Sequence, residues 1–221
     1  MPRPRQALLT RERIVAAACE LVDADGLDAF STRRLAAMLG VRGPSLYNHF
    51  ATKDEILDAV ADNVIADVDI SVFTRLEWRE ALRDWARSYR AALAAHPNIV
   101  PYLARGPGRR HTALTMADAV YGALVRAGWP PARATHVGAL MRYFVAGSSL
   151  GSFARGFVGD PGIYDERYPH LSQAHRLADH QRSVDDGAFE LGLRALIDGL
   201  SRTYEEVVGP LSPLPPTAQA H

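Results

Sequence analysis

Residues 31–50 read STRRLAAMLGVRGPSLYNHF, and this stretch decides the fold. Ser31 or Thr32 can cap a helix, because a short side-chain oxygen accepts from the free N–H groups of a first turn. Leu35, Ala36 and Leu39 follow at helical spacing, and Gly40 suits the left-handed position that closes a helix. A short second helix opens at Pro44, whose missing N–H has no helical partner there. It reaches Phe50, with Leu46 and Phe50 facing inward. Helix, glycine-containing turn and short helix make the helix-turn-helix layout. The outward residues suit a duplex. Ser45 and Tyr47 can bond phosphate oxygens, Arg33 and Arg42 can bond phosphate or the edge of guanine, and Asn48 can read adenine.

Outward from this stretch, the pattern is helix after helix. Upstream, Thr10 can cap a helix over about 11–24 with an apolar stripe of Ile14, Val15, Ala18, Leu21 and Val22, and Gly26 is its stop. Downstream, Thr52-Lys-Asp-Glu55 is a capping box, in which the Thr52 hydroxyl serves the Glu55 N–H and the Glu55 carboxylate reaches back. Leu57, Val60, Ala61, Val64, Ile65 and Val68 continue that helix. After a break near 69–74, Trp78, Leu82, Trp85, Tyr89 and Leu93 share one face of a helix that His96-Pro97 ends. Helices over about 110–127 and from Pro130-Pro131 to about Arg155 follow. Residues 156–185 are polar and broken by Gly and Pro, and a last helix runs from about Asp186 to Val208. Period-two alternation is absent. The expected class is therefore all-α, a three-helix helix-turn-helix domain (1–55) and a larger helical ligand-binding and dimerisation domain (56–208). Residues 209–221, with four prolines, are expected to be a disordered tail.

Composition narrows the function classes. The 221 residues carry 25 basic and 25 acidic groups, so a nucleic-acid surface has to be local. Residues 1–53 hold Arg3, Arg5, Arg11, Arg13, Arg33, Arg34, Arg42 and Lys53 against Glu12, Glu20, Asp23, Asp25 and Asp28, a modest positive excess. The single cysteine, Cys19, excludes an internal disulfide and a Cys-rich zinc site. Its neighbours Val15, Ala18 and Val22 mark it as a small core residue. No apolar run approaches the roughly 18 residues of a membrane span. Met1-Pro-Arg-Pro-Arg lacks a following apolar core, so no signal peptide and a cytoplasmic location are expected. His170, His175 and His180 sit near Asp179, Asp185 and Asp186, but at a spacing that aligns no ligands on one helix face. They read as a solvated loop, not a metal site. Gly106–Arg110 matches no phosphate loop, and Gly147–Gly151, read as lying inside a helix, is no nucleophile elbow. Neither enzyme activity, cofactor nor metal is expected.

Over roughly residues 10–65 the chain resembles the TetR (tetracycline repressor) family of transcriptional regulators. The likeness is carried by Thr32-Arg33, Leu35-Ala36, Leu39-Gly40-Val41, Pro44-Ser-Leu-Tyr-Asn-His-Phe50 and Thr52-Lys53. The resemblance implies a homodimeric repressor that binds a palindromic double-stranded operator and leaves it when a small effector binds. It implies DNA contacts from Thr32, Arg33, Arg42, Gly43, Pro44, Ser45, Tyr47, Asn48 and His49, with Lys53 as a phosphate clamp. Gly43 departs from the pattern. Family members that read a base there carry a longer side chain, so loose discrimination is expected at that base pair.

Beyond residue 70, Leu93-Ala-Ala-His96-Pro97, Gly128-Trp129, Phe189–Leu193 and Leu196–Leu200 look like the ligand-binding half of the family's tetracycline-repressor branch. That branch holds its drug with magnesium, through a histidine and partly through a carboxylate. Tyr102 or Leu103 and Gly151 stand at those positions here, and neither suits a hard cation. A mostly apolar effector is expected instead, lined by Trp85, Tyr89, Met116, Tyr121, Met141, Tyr143 and Phe144. Small residues at helical spacing, Ala188, Gly192, Ala195 and Gly199, face a matching set at Gly147, Gly151 and Ala154. The resemblance makes these two helices the dimer interface, while packing within one subunit stays open. In that branch the segment matching 156–185 helps cover the partner's pocket, which implies a gate.

Overall fold

The computed structural model describes residues 9–164 and 167–209, and among them regular structure is helical throughout. Helix α1 spans Arg11–Ala29. Thr10 accepts from the Arg13 N–H at 3.3 Å, and Gly26, at φ 80°, breaks the helix where its stop is expected, with a short continuation beyond the kink. Helix α2 is Thr32–Leu39. Ser31 is its cap, accepting from the Arg34 N–H at 3.3 Å, and Gly40 closes it at φ 67°. Helix α3 is Gly43–Tyr47, so Asn48 and His49 lie in the turn that follows it. Helix α4 is Lys53–Val64. Thr52 accepts from the Glu55 N–H at 3.1 Å, and the returning Glu55 carboxylate lands on the N–H of Ala51 at 2.7 Å. The apolar stripes of these helices meet in a small core of Ile14, Val22, Phe30, Leu35, Leu46, Phe50, Ile56 and Val60.

The rest of the chain continues that core, which runs without a gap from Ile14 to Tyr204. Helix α5, Val72–Arg75, occupies the expected break. Helix α6, Trp78–Ala95, buries the five residues whose spacing predicts its inner face, and His96 caps it. Helices α7 (Val100–Leu103), α8 (His111–Arg126), α9 (Pro131–Gly147) and α10 (Gln181–Val208) complete the fold. Gly128 adopts φ 104° between α8 and α9, and Trp129 packs edge-on against Trp78, ring centroids 5.5 Å apart.

Helix α3 ends at Tyr47 and not at Phe50, α4 ends at Val64 before reaching Val68, and two later boundaries also differ from the sequence reading. Helix α9 stops at Gly147, well before Arg155. The hydroxyls of Ser148 and Ser149 both turn back to the Val145 carbonyl, at 2.8 and 2.9 Å, competing with the backbone ladder. Gly151 and Ala154 therefore lie beyond the helix. Gly147–Gly151 thus crosses a helix end and does not lie inside a helix, with the hydroxyls of Ser148 and Ser149 both engaged there. Helix α10 starts at Gln181 and not near Asp186, and the segment before it forms short 3-10 turns that bury Tyr164 and Ala174. Of the expected tail only Gly209 is among the described residues, as the cap of α10.

Hydrogen bonds at helix ends fasten the N-terminal helices to the rest. The Asp62 carboxylate of α4 accepts from the N–H groups of Thr112 and Ala113, at 3.2 and 3.3 Å, capping α8 from outside the helix. The Asn98 amide donates to the carbonyls of Val22 and Asp23, at 3.1 and 2.9 Å, tying the end of α6 to α1.

Candidate nucleic-acid interface and ligand cavity

The short helix α3 is held from behind and open in front. Leu46 and Phe50 are buried, whereas Tyr47 is 51% exposed. Arg33, Arg42, Pro44, Asn48 and Lys53 are exposed, and Thr32, Gly43, Ser45 and His49 are half-buried. The Tyr47 hydroxyl lies 3.5 Å from the Thr32 hydroxyl, so the start of α2 and the end of α3 present one polar face. Arg11 braces this unit: its guanidinium sits 3.9 Å over the Phe50 ring and donates to the His49 carbonyl. Lys53 donates to the Phe30 carbonyl at 2.9 Å. One of its three donors is thus used, which fixes the ammonium at the N-terminus of α4 with others left over. A Cβ on Gly43 would meet nothing within 4 Å, so packing does not require a glycine there.

The larger part holds a partly open cavity of about 200 Å³ among the end of α4 and helices α6–α9. Trp85, Tyr89, Met116 and Tyr121 border it. Three other expected lining residues stand elsewhere. Met141 is packed in the core, Tyr143 is 70% exposed, and Phe144 stacks on Phe189 with ring centroids 5.2 Å apart. The reason is helical geometry: α9 turns Gly138 and Arg142, four residues apart, toward the cavity, which rotates 141, 143 and 144 away from it. Gly138 is required there, since its Cβ would lie 2.1 Å from the Tyr121 ring.

Apolar periodicity also passes over two wall residues, Arg110 and Arg142. Arg110 is only 5% exposed. Its Nε donates to the Pro107 carbonyl at 3.1 Å and its Nη2 to the Gly106 carbonyl, with the Asp58 carboxylate 3.7 Å from Nε. Arg142 donates to the Leu103 carbonyl at 2.5 Å. Burial raises the Tyr89 phenol, with Arg142 opposing. Burial and the 3.1 Å bond to Asp58 push the Tyr102 phenol up to about 12.

The small-residue set divides. The Cβ of an alanine at Gly192 would lie 2.7 Å from the Phe144 ring, so Gly192 is filled from within its own subunit. Ala188 and Ala195 are exposed, Gly199 and Gly147 have open space at their Cβ positions, and Gly151 is exposed outside any helix. Around them Leu140, Tyr143 and Leu191 also face outward.

Cys19 is buried as its spacing predicts, but its partners are not local. Its Sγ lies 3.6 Å from both Asp23 Oδ2 and His96 Nδ1, and those two are 2.8 Å apart. Burial first, and the Asp23 carboxylate second, push the thiol up to about 12, so it stays protonated and donates to Asp23. These three residues are the one grouping among the described residues with ligand atoms close enough for a metal ion; His170, His175 and His180 do not assemble. Among the described residues no helix is long and apolar enough to cross a membrane.

Residues 14–60 match the family described as bacterial regulatory proteins, tetR family, and residues 75–204 match the tetracyclin repressor-like C-terminal domain. The chain is 36% identical over 141 residues to an HTH-type transcriptional regulator of Saccharopolyspora erythraea, covering 64% of this chain and 60% of that protein. It is 35% identical over 196 residues to the class A tetracycline repressor of transposon 1721 from Escherichia coli, covering 86% and 89%. Its structure resembles a possible TetR family regulator from Streptomyces coelicolor A3(2), with a TM-score of 0.71, 30% identity and coverage of 88% and 100%. S. coelicolor ActR in complex with actinorhodin gives 0.69, 29% identity and coverage of 89% and 99%. BioQ with its double-stranded DNA operator gives 0.62, 26% identity and coverage of 88% and 99%.

Proposed function

The chain belongs to the TetR family of bacterial transcriptional regulators, and from that premise we propose that it is a homodimeric repressor, working in the cytoplasm, that a small, mostly apolar effector releases from a palindromic operator. The observation that carries the reading is α3, anchored by buried Leu46 and Phe50 while its other face stands in solvent, one helix away from a partly open cavity. Residues 1–55 form the reading unit and 56–208 the effector and dimerisation unit, with α4 belonging mechanically to both. Thr32, Arg42, Ser45, Tyr47 and the Lys53 clamp fix the register on the phosphates. Arg33 and Asn48 read base edges, and Gly43, Pro44 and His49 bring the backbone close. The outward faces of α9 and α10, with Ala188, Ala195 and Gly199, pair with their copies.

Two reading units about 34–36 Å apart enter successive major grooves. The effector favours a different spacing, and its leverage equals its difference in affinity for the two states. Asp62 of α4 on the N-terminus of α8, Asp58 of α4 beside Arg110, and the α1–Asn98 joint are links through which a change at the cavity reaches the reading units. The function is binding, with no turnover, and the effector differs from a tetracycline–magnesium chelate because Tyr102, Leu103 and Gly151 offer no suitable ligands. The relatives solved with actinorhodin and with operator DNA support both halves of the reading.

Fluorescence anisotropy on the DNA upstream of its own gene, at about 150 mM salt, tests this against a scrambled duplex. Binding tighter by roughly 10³-fold is expected. Equal affinity for the upstream and scrambled duplexes overturns it.

A further inference from the structure

The wall of the cavity is mostly apolar, but its polar groups are one-sided. Two arginines line it, Arg110 and Arg142, and among the described residues no aspartate or glutamate does. The Nε and Nη2 edge of Arg110 is occupied by the carbonyls of Pro107 and Gly106, whereas Nη1 is buried with no hydrogen-bond partner among the described residues. Trp85 Nε1, in the same wall, is also buried without a partner. Buried donors left unpaired are unfavourable, and cationic ones more so, and such groups rarely persist without a purpose. Asp58 compensates Arg110 only in part: it is 3.7 Å away, half-exposed, and already accepts from Tyr102.

We propose that the effector is an aromatic carboxylate, whose rings lie against Trp85, Met116 and Tyr121 and whose acid group accepts from Arg110 Nη1 and from Arg142. The inference rests on reading this cavity as the effector site. A neutral acceptor could satisfy the orphaned donors, but only an anion also neutralises the guanidinium charge. Carboxylate oxygens match the fork of an arginine better than other small acceptors do. Arg110 is the cap residue of α8, so the positive end of that helix adds to the field. Asp58 and Asp62 lie one turn apart on α4, the first against Arg110 and the second on the N-terminus of α8. An anion that draws Arg110 toward itself competes with Asp58 and loosens the cavity wall from the helix that carries the reading unit.

The test uses 2-naphthoate and its neutral amide, 2-naphthamide, titrated calorimetrically into the full chain without DNA. The acid is expected to bind roughly thirtyfold more tightly than the amide. Arg142→Met should remove that preference while leaving the amide within about threefold. Arg110→Met should do the same, and Arg110→Lys, which keeps the charge and loses the fork, should restore only part of it. Thermal melts of each variant separate a lost contact from a lost fold, and Arg142→Met carries the test if Arg110→Met unfolds. Equal binding of acid and amide overturns the proposal, as does a preference that survives Arg142→Met, or no binding of either compound at millimolar concentration. Failure of the operator assay would remove the repressor reading and leave this ligand preference standing.

Discussion

Around α3 the apolar side chains point inward and the polar ones face solvent; around the cavity the apolar wall is itself the functional surface, and of its two arginines Arg110 is buried and Arg142 half-buried. The first region is made from some twenty consecutive residues, so each side chain's role follows from its place in one short pattern. The second draws on residues from Ile65 to Arg142, spread over four helices and the turns beside them, and no local pattern marks them. A surface that must meet a rigid duplex is displayed on a small, tightly anchored scaffold. A site that must respond to a ligand is placed where packing can change.

Substitutions can break this contrast or sharpen it. The largest effect is expected for Leu46→Ala, which removes the anchor of α3 and should cost about 2–5 kcal/mol in a denaturant melt, with operator binding lost. If it leaves 2-naphthoate binding intact, the two regions are separable. Next is Gly138→Val, which drives a side chain into the Tyr121 ring. It should destabilise by about 1–3 kcal/mol and weaken ligand binding by calorimetry while unliganded protein still holds its operator. Arg33→Ala and Tyr47→Ala should each weaken operator binding in anisotropy by about 1–3 kcal/mol with an unchanged melt. Full-strength binding by both would remove the assigned contacts. Gly43→Gln has open space at its Cβ, so stability should stay within about 0.5 kcal/mol. Discrimination at one operator base pair should rise by about 1 kcal/mol in a binding-site scan.

The smallest effect lies between α6 and α10, where Arg87 holds Glu190 through two bonds of 2.9 and 2.7 Å. The bond to Arg87 keeps the Glu190 carboxyl below its usual range of about 4.5. Its contribution is therefore present above that value and is lost as pH falls through the lower folded one. Both side chains are half-exposed, so Glu190→Gln should cost no more than about 1 kcal/mol at neutral pH. The gap from the parent protein should close in melts below about pH 4.

The helices, their caps at Thr10 and Thr52, and the inner faces of α4 and α6 were legible in the sequence because each depends on neighbours three or four positions away, while the choice of Ser31 over Thr32 as the cap of α2 was left to the structure. The end of α9 was not, because two serine hydroxyls had to choose Val145 over solvent. Gly192 reads as part of a surface stripe until Phe144, 48 positions earlier, is seen to fill it.

By itself the sequence determined an all-helical chain with a short, outward-facing polar helix behind a glycine turn, since periodicity and capping are local properties. The tertiary structure alone decided which aromatic residues face the cavity and that Arg110 and Arg142 enter its wall. It also decided that Cys19 sits 3.6 Å from His96, 77 residues away. Those outcomes depend on how helices rotate and cross when a single shared core is filled, and that choice belongs to the whole chain rather than to any segment of it.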